Sequence, residues 1–248
     1  MKKTTVVRSI LCGALLASIA TPGFAASGDD SWTWTAAPYI WATSITADFS
    51  DSAPVSDPSP DFSDIIDKID GGFLGHLEGQ GDQWGIMSDL IFLSLADERD
   101  RPNFSIDADL DTTVFELAAV WSPGDTRYQG FEAFAGLRYM DVELGLAADP
   151  VNPALSGRST GFDKSYNDFL IGARYTLPLA EKWTMGFRGD TSFGDSEGTW
   201  SANVMFRREM GSGALLLGYR YFDLQLEPGA DSFDLTLYGP EIGYAFVW

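Results

Sequence analysis

The sequence predicts an all-β fold: a single antiparallel up-and-down transmembrane barrel of about ten strands, with eight or twelve as the alternatives. Three observations predict it. Apolar and polar residues alternate along almost the whole chain after residue 31. The connections between these runs are tight at every second position and mostly longer at the others. Six of the eight tryptophans stand at run ends that such a topology brings to one rim.

The first 26 residues read as a cleaved secretory signal peptide. Lys2, Lys3 and Arg8 charge its start, an apolar run extends from Ile10 to Ala20, and Thr21-Pro22-Gly23-Phe24-Ala25-Ala26 offers small residues for cleavage. The run is shorter than the ~20 apolar residues a membrane helix needs. Cleavage after Ala25 or Ala26 removes Cys12, the one cysteine, and leaves 27–248 as the barrel domain. Disulfides, thiolate chemistry and cysteine-held metals are then excluded. A single histidine, His76, rules out a multi-histidine zinc site. No cofactor is expected.

The chain carries 16 basic and 36 acidic residues. The leader holds three of the basic ones, so the remainder has 13 against 36, a net charge of −23. That sign excludes a nucleic-acid partner, whose phosphates need a basic surface. No later segment is long and apolar enough for a membrane helix, so a membrane crossing requires a closed barrel with every backbone group paired.

Ten alternating segments follow, over 31–48, 70–79, 83–98, 104–122, 127–148, 163–179, 182–193, 197–209, 212–226 and 231–248. In the seventh, Trp183, Met185, Phe187, Gly189, Thr191 and Phe193 share one face, and Thr184, Gly186, Arg188, Asp190 and Ser192 the other. Gly81-Asp82, Pro123-Gly124-Asp125, Ala180-Glu181 and Met210-Gly211 make the tight turns. The opposite connections are acidic and mostly longer, the first running from Ser50 to Ile69. Short turns on one rim, longer loops on the other and both termini at the short-turn rim are the pattern of a single-chain outer-membrane barrel.

Trp32, Trp34, Trp84, Trp121, Trp183 and Trp248 all fall on the short-turn rim, which in that topology faces the periplasm, as an aromatic girdle. Trp41 and Trp200 fall elsewhere. The ending Tyr244-Ala245-Phe246-Val247-Trp248 resembles the C-terminal signature read by the barrel-assembly machinery, which makes that machinery an expected partner through Trp248. Outer-membrane lipid and lipopolysaccharide are the others.

Two stretches depart from simple alternation. Phe62 to Ile69 spaces apolar residues by three and four and predicts a short helix in the first outer loop. Leu235 and Leu237 lie on the opposite parity to Ile242 and Tyr244, and Val142 and Leu144 oppose Leu137 and Tyr139. These switches predict either bulges or strands rising beyond the membrane.

The same parity turns His76, Glu78, Asp89, Glu116, Glu132, Arg138, Asp168, Arg174, Arg188, Asp190, Arg207, Arg220 and Glu241 inward. An arginine facing lipid at mid-membrane costs about 2–4 kcal/mol, which is reason enough for the shared parity. Seven acids and five arginines in a narrow lumen are expected to interlock as ion pairs.

PYIW at 38–41, the block FSDIIDKIDGGFLGHLEGQGDQWGIMSDLIFLSL at 62–95, GLRY at 136–139, GDTSFG with GTW at 189–200, GYRYFDL at 218–224 and GPEIGY at 239–244 resemble a bacterial family of outer-membrane β-barrel proteins. The 62–95 block is the most specific part. The family has no assigned activity, so the resemblance implies a barrel and an outer-membrane location, with no catalytic, cofactor or metal residues.

The expected function is therefore a closed, structural outer-membrane barrel with a salt-bridged lumen. A narrow porin-like channel for ions or small solutes is the alternative. An outer-membrane hydrolase built on His76 and Glu78 is the weaker one, because no serine motif or carboxylate cluster accompanies the pair. The acidic first loop, with Asp51, Asp57, Asp61, Asp64 and Asp67, could reach lipopolysaccharide through Mg²⁺ or Ca²⁺, but the spacing of a dedicated calcium loop is missing.

Overall fold

A computed structural model describes residues 32–49, 69–100, 104–124, 128–152, 156–226 and 233–248. The leader and the carboxylates of the first outer loop lie outside these residues, as does the expected helix at 62–69 except for Ile69, which begins a strand. Residues 32–248 form one compact unit.

Eleven strands follow the chain: β1 Thr33–Trp41, β2 Ser44–Phe49, β3 Ile69–Gln80, β4 Trp84–Asp100, β5 Phe104–Trp121, β6 Gly130–Pro150, β7 Arg158–Ala180, β8 Trp183–Gly194, β9 Gly198–Met210, β10 Gly213–Leu226 and β11 Phe233–Val247. From β3 to β11 each pairs antiparallel with the next; β1 pairs with both β3 and β11, and β2 continues along β11. The first two are therefore the halves of one stave, and the barrel has ten. Backbone hydrogen bonds from Trp34 N to Trp248 O (2.8 Å) and from Trp248 N to Trp34 O (3.0 Å) join its two edges at the rim. Closure removes the free strand edges that hydrocarbon could not satisfy.

The first stave breaks at Ala42-Thr43 for a local reason. The Trp41 indole donates to the Gly239 carbonyl (3.2 Å) and Ala42 N donates to the Pro240 carbonyl (2.9 Å). A Cβ on residue 239 would stand 1.9 Å from the Ala42 carbonyl oxygen, so only glycine permits this approach.

Two connections differ from expectation. The turn between β5 and β6 spans 122–129 rather than three residues, and the loop expected over 149–162 shrinks because β6 runs on to Pro150 and β7 starts at Arg158. The strands β4 to β7 have 17 to 23 residues, whereas β8 and β9 have 12 and 13. The wall is thus much taller on one side.

The outer face carries the apolar residues that a soluble protein would bury. Ile40, Leu137, Trp84, Phe73 and Trp248 are each 59–66 % exposed. Along β11 the outward apolar face runs from Tyr238 to Trp248. Ten residue-to-residue rises of ~3.3 Å, tilted by about 40°, make a belt roughly 25 Å tall, the height of a bilayer-spanning band. All six rim tryptophans stand at the short-turn end of their strands, and Trp84 pairs directly with Trp121.

No bulge accompanies the parity switches. The β10–β11 register is continuous from Gly213↔Phe246 to Leu226↔Phe233, and β5–β6 is continuous across Met140. The inward face simply changes composition. Leu235, Leu237, Val142 and Met140 point inside, with Trp41, Leu74, Ile91, Leu93, Val114, Tyr166, Phe222, Leu224 and Leu226, as one packed apolar layer.

Candidate functional site

The lumen has three levels, and each follows from which inward residue a stave presents at that height. The apolar layer fills the loop end. A belt of charges lies below it, and an open vestibule occupies part of the short-turn end.

Nine strands contribute to the belt. On one side, Arg174 (β7) forks onto Glu78 (β3), with its Nη1 at 2.7 Å, and its Nε donates to Glu132 (β6). Gln80 donates to Glu132 as well. His76 lies between Glu78 and Asp89, 3.1 Å from each. Tyr39 donates its hydroxyl to Asp89 at 2.7 Å, and Arg220 lies 3.4 Å from Glu241 and 3.9 Å from Asp89. On the other side, Arg138 and Arg188 share the same two acids. Arg138 donates to Glu116 at 2.6 and 2.9 Å and pairs with Asp190; Arg188 donates to Asp190 at 2.8 Å and to Glu116 at 2.7 Å. Guanidinium forks on carboxylates are the geometry that best offsets the cost of burying charge.

Aromatic rings tie the belt to its apolar surroundings. The Arg138 guanidinium lies 4.9 Å from the Phe222 ring centre, Arg188 4.8 Å from Phe134, and Arg220 5.5 Å from both Tyr39 and Trp41. Phe134 reaches its place because residue 172 is glycine; a Cβ there would stand 2.3 Å from its ring. Phe134 joins Met87, Ala118, Val120 and Leu170 in a second apolar cluster, which fills the lumen on the β4–β7 side.

Two inward charges stand apart from the ion-pair network. Asp168 was expected to pair with an arginine. It instead accepts from Ser192 Oγ (2.8 Å), Ser196 N (3.1 Å) and Ser196 Oγ, and so organises the β8–β9 turn. Its register partner Arg138 is drawn away to Glu116 and Asp190, and is linked back through Thr199 and Ser192. Arg207 lines the vestibule with no carboxylate within 4 Å among the described residues. Sequence reasoning also missed Tyr39, Gln80, Ser192 and Thr199. Their inward parity was readable, but a neutral side chain gave no sign that it would join a charge network.

The vestibule is a cavity of about 420 Å³ between β1, β3, β4 and β6 to β11. Its lining includes Thr33, Gln129, Glu209 and Val247, all at the short-turn end of their strands, so it opens there. Tyr128 reaches over this mouth from the β5–β6 turn: its hydroxyl donates to the Thr33 carbonyl at 2.8 Å, and its amide donates to Gln80 at 3.0 Å. Burial pushes the Tyr128 hydroxyl up to about 12, so it stays protonated and donating at physiological pH.

As a hydrolytic pair, His76 and Glu78 are poorly arranged. Both imidazole nitrogens are committed to carboxylates, and among the described residues no serine or threonine hydroxyl bonds to the ring. The described residues contain no group of three or more metal-binding side chains.

Fold and lumen together define a class, the outer-membrane type of β-barrel: apolar and aromatic outside, charged within, closed edge to edge. Solved structures of similar outline are bacterial outer-membrane proteins. The outer membrane protease OmpT from Escherichia coli has 8 % identity and a TM-score of 0.49, over 88 % of this chain and 94 % of that one. The attachment invasion locus protein Ail of Yersinia pestis has 9 % and 0.40, over 88 % and 99 %. The outer membrane protein OprG from Pseudomonas aeruginosa has 10 % and 0.37, over 89 % and 98 %. No family model and no curated protein matches the chain.

Proposed function

We propose that this protein is an integral outer-membrane barrel with a closed lumen, a structural element of the envelope rather than a conducting pore. One observation carries the reading: inward charges cross-link strands from opposite sides of the lumen, and a packed apolar layer lies above them. A continuous water path would have to breach both. In this reading a cleaved leader sends the chain across the inner membrane, lipid and lipopolysaccharide surround the barrel, and the assembly machinery engages Trp248. The ring of Trp248 is 61 % exposed while its backbone closes the barrel, which suits a residue read before closure and used in it.

The test is single-channel recording of the purified, refolded protein in a planar bilayer. The expected result is no steady conductance; stable, large steps from the unmodified protein would overturn the reading. Location is tested separately. The protein should fractionate with the outer membrane and shift its gel mobility between unheated and boiled samples, and a soluble periplasmic band without that shift would refute it. Deleting Trp248 should leave a chain that is secreted but degraded unassembled; normal membrane levels of that variant would remove Trp248 from the recognition step.

A further inference from the structure

We propose that the vestibule at the short-turn rim binds a small organic carboxylate with an apolar body. This goes beyond the closed-barrel reading and does not depend on whether the lumen conducts.

Four observations combine. The cavity, about 420 Å³, falls within the size range of small-molecule sites, which run from about 300 to 1,000 Å³. Among the cations in its wall, His76, Arg174, Arg188 and Arg220 each hold at least one carboxylate of the protein. Arg207 holds none among the described residues, and its inward position on β9, level with Thr184 and Leu216 on the flanking strands, aims it into the open space. Thr35, 7 % exposed and lining the same cavity, has a hydroxyl with no hydrogen-bond partner. Ala37, Met205, Leu216 and Ala245 supply an apolar wall beside these groups.

The charge of the ligand follows from the balance of the wall. A lone guanidinium offers a planar fork that matches one carboxylate in two parallel hydrogen bonds. Glu78, Asp89, Glu132, Glu209 and Glu241 line the same space, so a dianion would meet repulsion that a monoanion largely escapes. A neutral apolar body fits the alanine, methionine and leucine side.

The test uses the refolded full barrel in a non-ionic detergent, with benzoate as probe and benzamide and benzylamine as size-matched neutral and cationic controls. Binding is read by saturation-transfer NMR and by calorimetry. Benzoate should bind with a sub-millimolar to low-millimolar Kd that weakens as salt is raised. Arg207→Gln should weaken it at least tenfold, and Arg207→Lys should restore part of the loss. Arg208→Gln, on the outer face over the Trp183 ring, should leave it unchanged. Because Arg207 has no ion-pair partner to lose, its variants should keep the heat-dependent gel shift of the folded barrel. Three results would each overturn the proposal: no benzoate binding up to tens of millimolar, equal binding of benzamide or benzylamine, or full binding by Arg207→Gln.

Discussion

The short-turn half and the loop half of this barrel are built from the same strands, with continuous register along β5–β6 and β10–β11, yet their polarity is reversed. Around the belt, Arg138, Glu116 and Asp190 face inward while Leu137, Phe115 and Phe187 face outward. Higher on the same strands, Val142, Leu235 and Leu237 face inward, whereas Asp111 and Glu143 are exposed on the outer side. The difference teaches what stabilises each half. Where lipid surrounds the wall, apolar side chains gain nothing by turning inward, and the interior must be held by paired charges. Where water surrounds it, the hydrophobic effect again rewards an apolar interior, as in any soluble barrel.

Substitutions can break that comparison. The largest effect is expected from Arg138→Ala. Its side chain is wholly buried, and its loss leaves Glu116 and Asp190 with Arg188 as their one remaining guanidinium among the described residues, so unfolding in urea should show about 3–5 kcal/mol of destabilisation or failure to refold. Leu237→Ala in the upper layer should cost about 2–5 kcal/mol by leaving a cavity. The lipid-facing Leu217→Ala, with its side chain partly exposed, should cost clearly less in the same assay. Equal costs at the two leucines would show that the upper layer is not a packed core.

Arg188→Ala sharpens the picture from the other side. Both of its acids also accept from Arg138, so the loss should be nearer 1–3 kcal/mol, and the bilayer current should stay low because the apolar layer is intact. Combining it with Leu224→Ala, which thins that layer, should give the first measurable leak. The smallest effect belongs to Arg208→Gln, where an exposed cation–π contact with Trp183 at 5.4 Å is worth about 0.5 kcal/mol.

Much of this arrangement was legible in the residues. Period-two alternation set the strands to within a few positions, and the lumen charges betrayed their facing because an arginine in lipid is so costly. The break at Ala42-Thr43 was not legible, because it depends on Gly239 nearly two hundred residues away. The reach of β6 to Pro150 was hidden by the prolines, which read as loop although they fit at the end of a strand. Asp168 misled for a different reason. Parity turned it inward correctly, but whether it would pair with a lumen arginine or with the serines of the β8–β9 turn was a competition that only the fold could decide.

The sharp edge of the outer apolar belt also acts as a depth gauge. The last outward aromatic on β6, Tyr139, is followed two residues later by Asp141, which accepts from Tyr139 (3.1 Å) and from Ser165 (2.7 Å). On β7 the step falls between Phe169 and the exposed Asn167. Sinking by one pair of residues would drag a carboxylate into hydrocarbon, and rising by one pair would lift aromatic rings into water. The barrel therefore has a single depth of immersion, and in a bilayer of different thickness it is the lipid that must deform.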